Sequence, residues 1–313
     1  MPFFRPGSAG AFFLLKALLF YGKIGKMIWK RGLIMRTISA EELTAAVARL
    51  CVRANTVLPE DVTDAMELAC FWETWPLAEE TLKLLQQNQL DAWKQNLPIC
   101  QDTGMACVFV ELGQEVHIDG DFEEAIHQGV RQGYTEGYLR KSIVADPLRR
   151  VNTEDNTPAS ITVRIVSGDR CAITVVPKGF GSENMSRLAM LKPADGVEGV
   201  KQFVVETVRL AGPNPCPPVV LGVGIGGSFD KVAALAKHAL LRPLNEPNPD
   251  PFYENLEDEL LKAVNALGIG PQGFGGKITC LNVAIETAPT HVAGLPVAVN
   301  VSCHVTRRAT EIV

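Results

Sequence analysis

Three cysteines stand in contexts that suit chemistry better than packing: Cys100 in Pro-Ile-Cys-Gln-Asp-Thr-Gly, Cys216 in Asn-Pro-Cys-Pro-Pro, and Cys303 in Ser-Cys-His-Val-Thr-Arg-Arg. Three thiolates fill three corners of a cubane iron–sulfur cluster and leave one iron open, whereas electron-transfer clusters usually take four cysteines. An iron with a free position is a Lewis acid, as other catalytic metals with an open site are. Asp102 places a carboxylate beside the first cysteine, where a general acid or base is useful. On its own that segment also reads as an Asx turn leading into a strand.

Each of the other cysteine contexts has a plainer reading beside the chemical one. Prolines 213, 215, 217 and 218 make the Cys216 segment stiff, because each fixes φ and removes a donor. Such a loop could hold a ligand or be an ordinary proline-rich connection. Arg307 and Arg308 after Cys303 suit carboxylate recognition, or form a solvated basic strand end. His291, in Pro-Thr-His-Val-Ala-Gly, taken alone is a surface residue in a turn. Cys51, Cys70, Cys107, Cys171 and Cys280 lie in apolar patterns and read as buried small hydrophobes.

Gly222-Val-Gly-Ile-Gly-Gly fits the spacing GxGxxG between an expected strand and an expected helix. Dinucleotide binding would also need an acidic residue at the end of a second strand about 20 positions on. Glu246 falls instead in a Pro/Asn-rich loop, so these glycines are expected to allow close backbone approach and to open a helix toward an anion. Lys178-Gly-Phe-Gly-Ser-Glu-Asn and Gly270-Pro-Gln-Gly-Phe-Gly-Gly-Lys277 are further glycine-rich polar loops, and neither is a P-loop.

The elements that must position these loops follow from periodicity. Ser39-Ala-Glu-Glu is a capping signal for a first helix carrying Leu43, Ala46, Val47 and Leu50 on one face. Further helices are expected from Glu60 to about Trp75, Leu77 to Asn96, Phe122 to Leu139, Gly199 to Ala211, Asp230 to Leu241 and Phe252 to Leu267. Strands are expected at 105–112, at 161–166 and 172–177 around Ser167-Gly168-Asp169, and at 219–223, 280–285 and 297–301. Residues 243–251 read as a surface loop. The fold class is mixed α/β (α+β): a helical N-terminal part, then mixed strands and helices around a cluster site.

Composition bounds the rest. The 313 residues are 47% hydrophobic and 21% charged, which suits one large or two modest globular domains. A net charge of −5 gives no nucleic-acid footprint. Eight cysteines without paired spacing argue against a disulfide framework and for a reducing cytoplasm. Residues 1–35 are atypical: an apolar run, Phe12–Phe20, is broken by Lys16 and followed by Lys23, Lys26, Lys30 and Arg31. It is too short to span a bilayer and lacks signal-peptide order. The expectation is a non-native extension with the functional start at Met35 or Met27, and the alternative is a weak amphipathic anchor. No membrane association is otherwise expected.

Taken together, Cys-Gln-Asp-Thr-Gly, Lys-Gly-x-Gly-Ser-Glu-Asn, Asn-Pro-Cys-Pro-Pro, Gly-Val-Gly-Ile-Gly-Gly, Gly-Pro-Gln-Gly-Phe-Gly-Gly-Lys and Cys-His-x-x-Arg-Arg occur here in one order. The chain therefore resembles the iron–sulfur hydro-lyases, class I fumarate hydratase and L-tartrate dehydratase, in their α subunit or N-terminal catalytic region, over residues 36–313. The resemblance implies a [4Fe–4S] cluster on Cys100, Cys216 and Cys303, with the unligated iron taking the substrate's carboxylate and hydroxyl. It implies substrate contacts from Gln101, Asp102, Arg140, Gly181 and His291, with Asp102 a candidate acid and His291 a second catalytic candidate. Phe180 departs from the family, which often has a glycine there. The resemblance also implies a separate β subunit, expected as an α2β2 assembly, without which the site is incomplete. Fumarate/malate is the favoured substrate pair and L-tartrate the alternative. A non-catalytic iron–sulfur or nucleotide-binding protein is the more distant reading.

Overall fold

The computed structural model describes residues 35–313, so the expected N-terminal extension lies outside the described residues except for Met35. Helices lead, as expected. After the short strand β1 (Arg36–Ser39), Ser39 caps α1 (Ala40–Thr56): its hydroxyl accepts from the Glu42 N–H, and the Glu42 carboxylate accepts from the Ser39 N–H, each at 3.1 Å. α2 (Glu60–Trp72) and α3 (Pro76–Gln95) follow as a packed pair. α2 stops before the expected Trp75 because Glu73 takes over there. Its carboxylate accepts from the N–H groups of Thr74 and Trp75 at 2.8 and 3.0 Å.

Among the described residues the strands form two four-stranded sheets and one two-stranded pair. β2 (Met105–Gly113), β3 (Val116–Asp119) and α4 (Phe122–Glu136) come next. α4 ends short of Leu139 because the chain turns at Gly137 and Tyr138 adopts φ 52°. β4 (Ser160–Val166) and β5 (Cys171–Lys178) are followed by the four-residue turn α5 (Phe180–Glu183), β6 (Arg187–Leu191) and α6 (Gly196–Ala211). Then come β7 (Val219–Gly226), α7 (Phe229–Ala239), α8 (Pro251–Asn265), β8 (Cys280–Ala288), β9 (Leu295–Ser302) and β10 (Ala309–Ile312). The expected strands are all present with longer ends. The short strands β1, β3, β6 and β10 were not expected, since four or five residues carry too little periodicity to register.

The two large sheets share one wiring plan. The first has the order β10-β5-β2-β4 and the second β6-β9-β7-β8. In the first, central β2 runs parallel to β4 and antiparallel to β5; in the second, central β7 runs parallel to β8 and antiparallel to β9. β4 and β5, on either side of the Ser167-Gly168-Asp169 turn, are thus not a hairpin, because β2 lies between them. The edge strands are exchanged: β6 follows β5 in sequence but pairs with β9, and β10 follows β9 but pairs with β5. Each sheet has its own core. The first gathers Leu43, Val47, Val108, Ile126 and Ile173, and the second Val204, Leu221, Leu260, Val283 and Val299.

Register decides where the loops go. Met105 opens β2 opposite Lys178, the last residue of β5. Val220 near the start of β7 lies opposite Ser302, the last residue of β9. The loops before β2 and β7 and after β5 and β9 therefore emerge at matching ends of their sheets. Those loops hold Cys100, Cys216, Gly179–Gly181 and Cys303.

Candidate functional site

The Cys100 loop is shaped by Asp102 and Gly104. Asp102 Oδ1 accepts from the Gly104 N–H at 3.0 Å and Oδ2 from the Phe180 N–H at 3.0 Å. Gly104 sits at φ +72°, and a Cβ there would come within 2.7 Å of the Lys178 backbone, so only glycine fits. The Asx-turn reading and the site reading of Asp102 are thus both met by one side chain. The Asp102 N–H approaches Cys100 Sγ at 3.4 Å, a donor a thiolate would accept. Thr103 Oγ1 donates to the Arg140 carbonyl at 3.0 Å, which brings the exposed Arg140 alongside the loop.

The other two cysteine loops are joined to each other. Cys216 is exposed and held at φ 55° in its proline frame. Its carbonyl accepts from the His304 N–H at 3.4 Å and lies 3.0 Å from His304 Nδ1. Burial pushes the His304 imidazole below its ordinary range. Gln272, at φ 52° in the Gly270–Lys277 loop, donates its N–H and its side-chain amide to the Pro217 carbonyl at 2.7 and 2.8 Å. Gly181 faces the Cys216 loop, with the Asn214 carbonyl oxygen 3.8 Å from where its Cβ would be.

The three thiols are electrostatic neighbours. Partial desolvation of its sulfur pushes Cys216 up although the residue as a whole is exposed, and Cys303 and Cys100 add to the shift. Burial also pushes Cys303 up, opposed by Arg307 and Lys178. Lys178 and Arg307 are each only 3% exposed, and Arg307 Nη1 has no hydrogen-bond partner. The buried Arg307 with its orphaned donor, and three free thiols, fit an anionic thiolate-bound group. Among the described residues no three His, Cys, Asp or Glu side chains could hold a single metal ion. A cubane makes no such demand, because each thiolate takes a different iron. Of the remaining cysteines, Cys51, Cys107, Cys171 and Cys280 are buried as expected and Cys70 is half-buried.

Several expected residues have other places. Arg308 is paired with Asp61 at 2.7 Å, and Arg307 donates Nε to the Pro177 carbonyl at 3.2 Å and Nη2 to the Asp102 carbonyl. Both arginines thus brace loops, and neither is a free carboxylate clamp. His291 lies in the β8–β9 loop, at the far end of the second sheet from Cys216. The length of β7, roughly 20 Å, separates those ends, so one chain does not bring His291 to the other site residues. Gln101 is exposed, with Oε1 3.6 Å from Cys100 Sγ. Phe180 is 45% exposed and contributes its backbone N–H to Asp102, so a side chain is accommodated where the family often has glycine.

The glycines of Gly222-Val-Gly-Ile-Gly-Gly serve packing. Gly222 and Gly224 lie inside β7, where a Cβ would fall 2.0 Å from the Ala236 carbonyl oxygen and 2.2 Å from that of Val232. They let α7 press onto the strand. The turn that follows is at the end remote from Cys216, and the Thr290 hydroxyl donates to the Gly227 carbonyl there at 2.9 Å. The expected close backbone approach is present, while the helix start beyond it does not face the cysteines. The sequence reading missed Glu73, Lys178, Glu183 and Gln272. Only the polar Lys-Gly-Phe-Gly-Ser-Glu-Asn string and the Pro-Gln-Gly turn hinted at three of them.

With the three thiols and Asp102 in one place, comparison with known proteins defines the class: the chain is a hydro-lyase, a carbon–oxygen lyase. A family profile described as fumarate hydratase (Fumerase) matches residues 44–311, and the chain belongs to that family. A Methanocaldococcus jannaschii protein provisionally named as an L(+)-tartrate dehydratase α subunit is 42% identical over 277 residues, covering 86% of this chain and 97% of the relative. The L(+)-tartrate dehydratase α subunit of Escherichia coli O157:H7 is 34% identical over 279 residues, covering 88% and 92%. Among the described residues no helix is long and apolar enough to cross a membrane.

Proposed function

We propose that this chain is the α subunit of an iron–sulfur hydro-lyase that reversibly hydrates a C4 dicarboxylate, fumarate to malate, together with a separate β subunit as an α2β2 assembly. The observation that carries the reading is that the loops of Cys100, Cys216 and Cys303, far apart in sequence, are tied together: the His304 N–H beside Cys303 donates to the Cys216 carbonyl, and Arg307 donates to the Asp102 carbonyl beside Cys100. These cysteines would hold a [4Fe–4S] cluster, which when bound supplies a Lewis acid at the one iron without a protein ligand. The relatives' names as α subunits support the β partner, and the lack of paired cysteine spacing in the sequence supports a reducing cytoplasm.

The chain's own groups divide the remaining work. Asp102 holds a carboxylate at the site with both oxygens oriented by backbone N–H groups, and moves the proton to or from substrate. Arg140, exposed beside the loop, takes a substrate carboxylate in a fork suited to it. Gln101 and Gly181 line the approach. His291 contributes only where a second chain presents it, since its own chain holds it at the far end of the second sheet.

L-tartrate dehydration is a second reading, favoured by the names of the relatives. Both readings need a dicarboxylate with a leaving or entering hydroxyl. Anaerobic purification with the β partner, followed by assay of fumarate, malate and L-tartrate separately, decides between them. Turnover of the fumarate/malate pair supports the first and turnover of L-tartrate the second. No turnover of any of the three by cluster-loaded enzyme would overturn both.

A further inference from the structure

The Lys-Gly-Phe-Gly-Ser-Glu-Asn segment carries a carboxylate, Glu183, to which the proposed reaction gives no task. Glu183 ends α5, and its carboxylate gathers donors from three elements. Oε1 pairs with Lys237 Nζ of α7 at 2.5 Å. Oε2 pairs with Lys178 Nζ of β5 at 3.1 Å and accepts from Asn300 Nδ2 of β9 at 2.8 Å. Lys178 also donates to Ser182 Oγ at 2.9 Å, inside the same turn. Asn300 Nδ2 donates to Ser186 Oγ at 2.9 Å, and that hydroxyl accepts from the Val301 N–H at 3.0 Å. The first sheet and the second therefore meet at one carboxylate.

The other end of this turn holds Asp102. The Phe180 N–H reaches Asp102 Oδ2, and Gly179 leaves room for it, since a Cβ at 179 would lie 3.2 Å from that oxygen. Only Gly181 and Ser182 separate Phe180 from Glu183, and all four residues are helical. A shift of Glu183 is thus passed to the donor that orients Asp102. Burial alone would raise the Glu183 carboxyl, but Lys178 and Lys237 outweigh it and hold it ionised. A neutral amide of the same shape offers one acceptor oxygen and no charge to two facing lysines, one of them buried.

We propose that Glu183 is a positioning residue for the hydro-lyase reaction: by binding Lys178, Lys237 and Asn300 together it fixes the Gly179–Glu183 turn that orients the Asp102 carboxylate. The inference rests on the reading of Asp102 as the proton-moving group.

The test compares wild type and Glu183→Gln, each purified anaerobically with its β partner. The variant is expected to lose about 100-fold in kcat, the scale of a small misplacement of a catalytic group. KM should stay within about threefold, as for an interaction made only in the transition state. Cluster absorption should be unchanged. Wild-type kcat, or loss of the cluster along with activity, would overturn the inference. Should Glu183→Gln fail to fold, Lys237→Met decides, because it removes a partly exposed arm and keeps the Lys178–Glu183 pair. A kcat loss of about tenfold at constant KM supports positioning, and an unchanged kcat refutes it. An inactive wild type would count against the proposed reaction itself, whereas an active wild type with an unaffected variant counts against Glu183 alone.

Discussion

The first and second sheets use one strand plan for different ends. In each, a cysteine loop enters the central strand, and the antiparallel neighbour leaves at the same end. The second sheet's leaving loop begins with Cys303, one residue past β9. The first sheet's begins with Gly179, one residue past β5. That position is where the symmetry of the wiring is broken. The second half supplies two thiols; the first supplies one thiol, and at the matching place a turn whose N–H group holds Asp102. A count of three cysteines, which in the sequence is only a number, becomes in the structure two pairs of loops with one cysteine replaced by the orientation of a carboxylate.

The largest effects should come from breaking this division. Cys216→Ser is expected to lose cluster and turnover together, while Asp102→Asn keeps the cluster and loses about a thousandfold in kcat. Iron and sulfide content measured beside kcat separates the two outcomes. A cluster-free Asp102→Asn protein would instead make Asp102 structural.

Packing gives the next contrast. The second half relies on strand glycines under α7, the first on Gly129 and Gly133 of α4, where added Cβ atoms would meet the Thr44 and Ala48 carbonyl oxygens of α1 at 2.6 and 2.7 Å. Gly222→Ala should destabilise the protein by about 3 kcal/mol through overpacking in urea unfolding. Gly129→Ala, with a less severe approach, should cost less.

Each half also pins one long loop with a carboxylate. Glu73 accepts from the N–H groups of Lys277 and Ile278 at 2.8 and 3.1 Å, tying the Gly270–Lys277 loop to the α2–α3 turn. Asp155 binds Thr157 and Arg131 near the loop that carries Arg140. Burial would raise Asp155, but these hydrogen bonds outweigh it and pull the carboxyl down to about 2. Glu73 is likewise held below its ordinary range, its backbone donors outweighing burial. Both carboxyls are lowered on folding. Their stabilisation is present above the unfolded values and lost as pH falls through the folded ones. Thermal stability should therefore decline between about pH 5 and pH 2, and Asp155→Asn should flatten that decline.

The smallest effect is a difference among thiols. Burial pushes Cys51 and Cys280 up to about 12, so neither offers a thiolate at neutral pH. In cluster-free protein an alkylating reagent followed by mass spectrometry should mark the exposed Cys216 and leave Cys51 and Cys280 unmarked.

Much of this was legible in the sequence. The capping box at Ser39, the three front helices and six of the strands follow from local pattern, because each is long enough to show its period. The cysteine contexts were legible because proline and polar neighbours make a poor core. What could not be read was pairing. Nothing local in Arg187–Leu191 or Ala309–Ile312 says that each crosses to the other sheet, and without that exchange the matching ends of the sheets stay hidden. For the same reason the family resemblance assigned His291 to the site, although β9 carries the chain the length of the sheet between it and Cys303. Arg307 and Arg308 looked like clamps because their partners, Asp102, Pro177 and Asp61, are distant in the chain.

The central claim is that loops from both sheets hold one cluster with an iron left for substrate. Mössbauer spectroscopy of the anaerobically reconstituted α–β complex, with fumarate, malate or L-tartrate added separately, tests it most directly. The account predicts about four irons per α chain and a change confined to a single iron when the true substrate is added. A complex that takes up no cluster under strict anaerobiosis, or one whose irons all ignore every dicarboxylate, would contradict it.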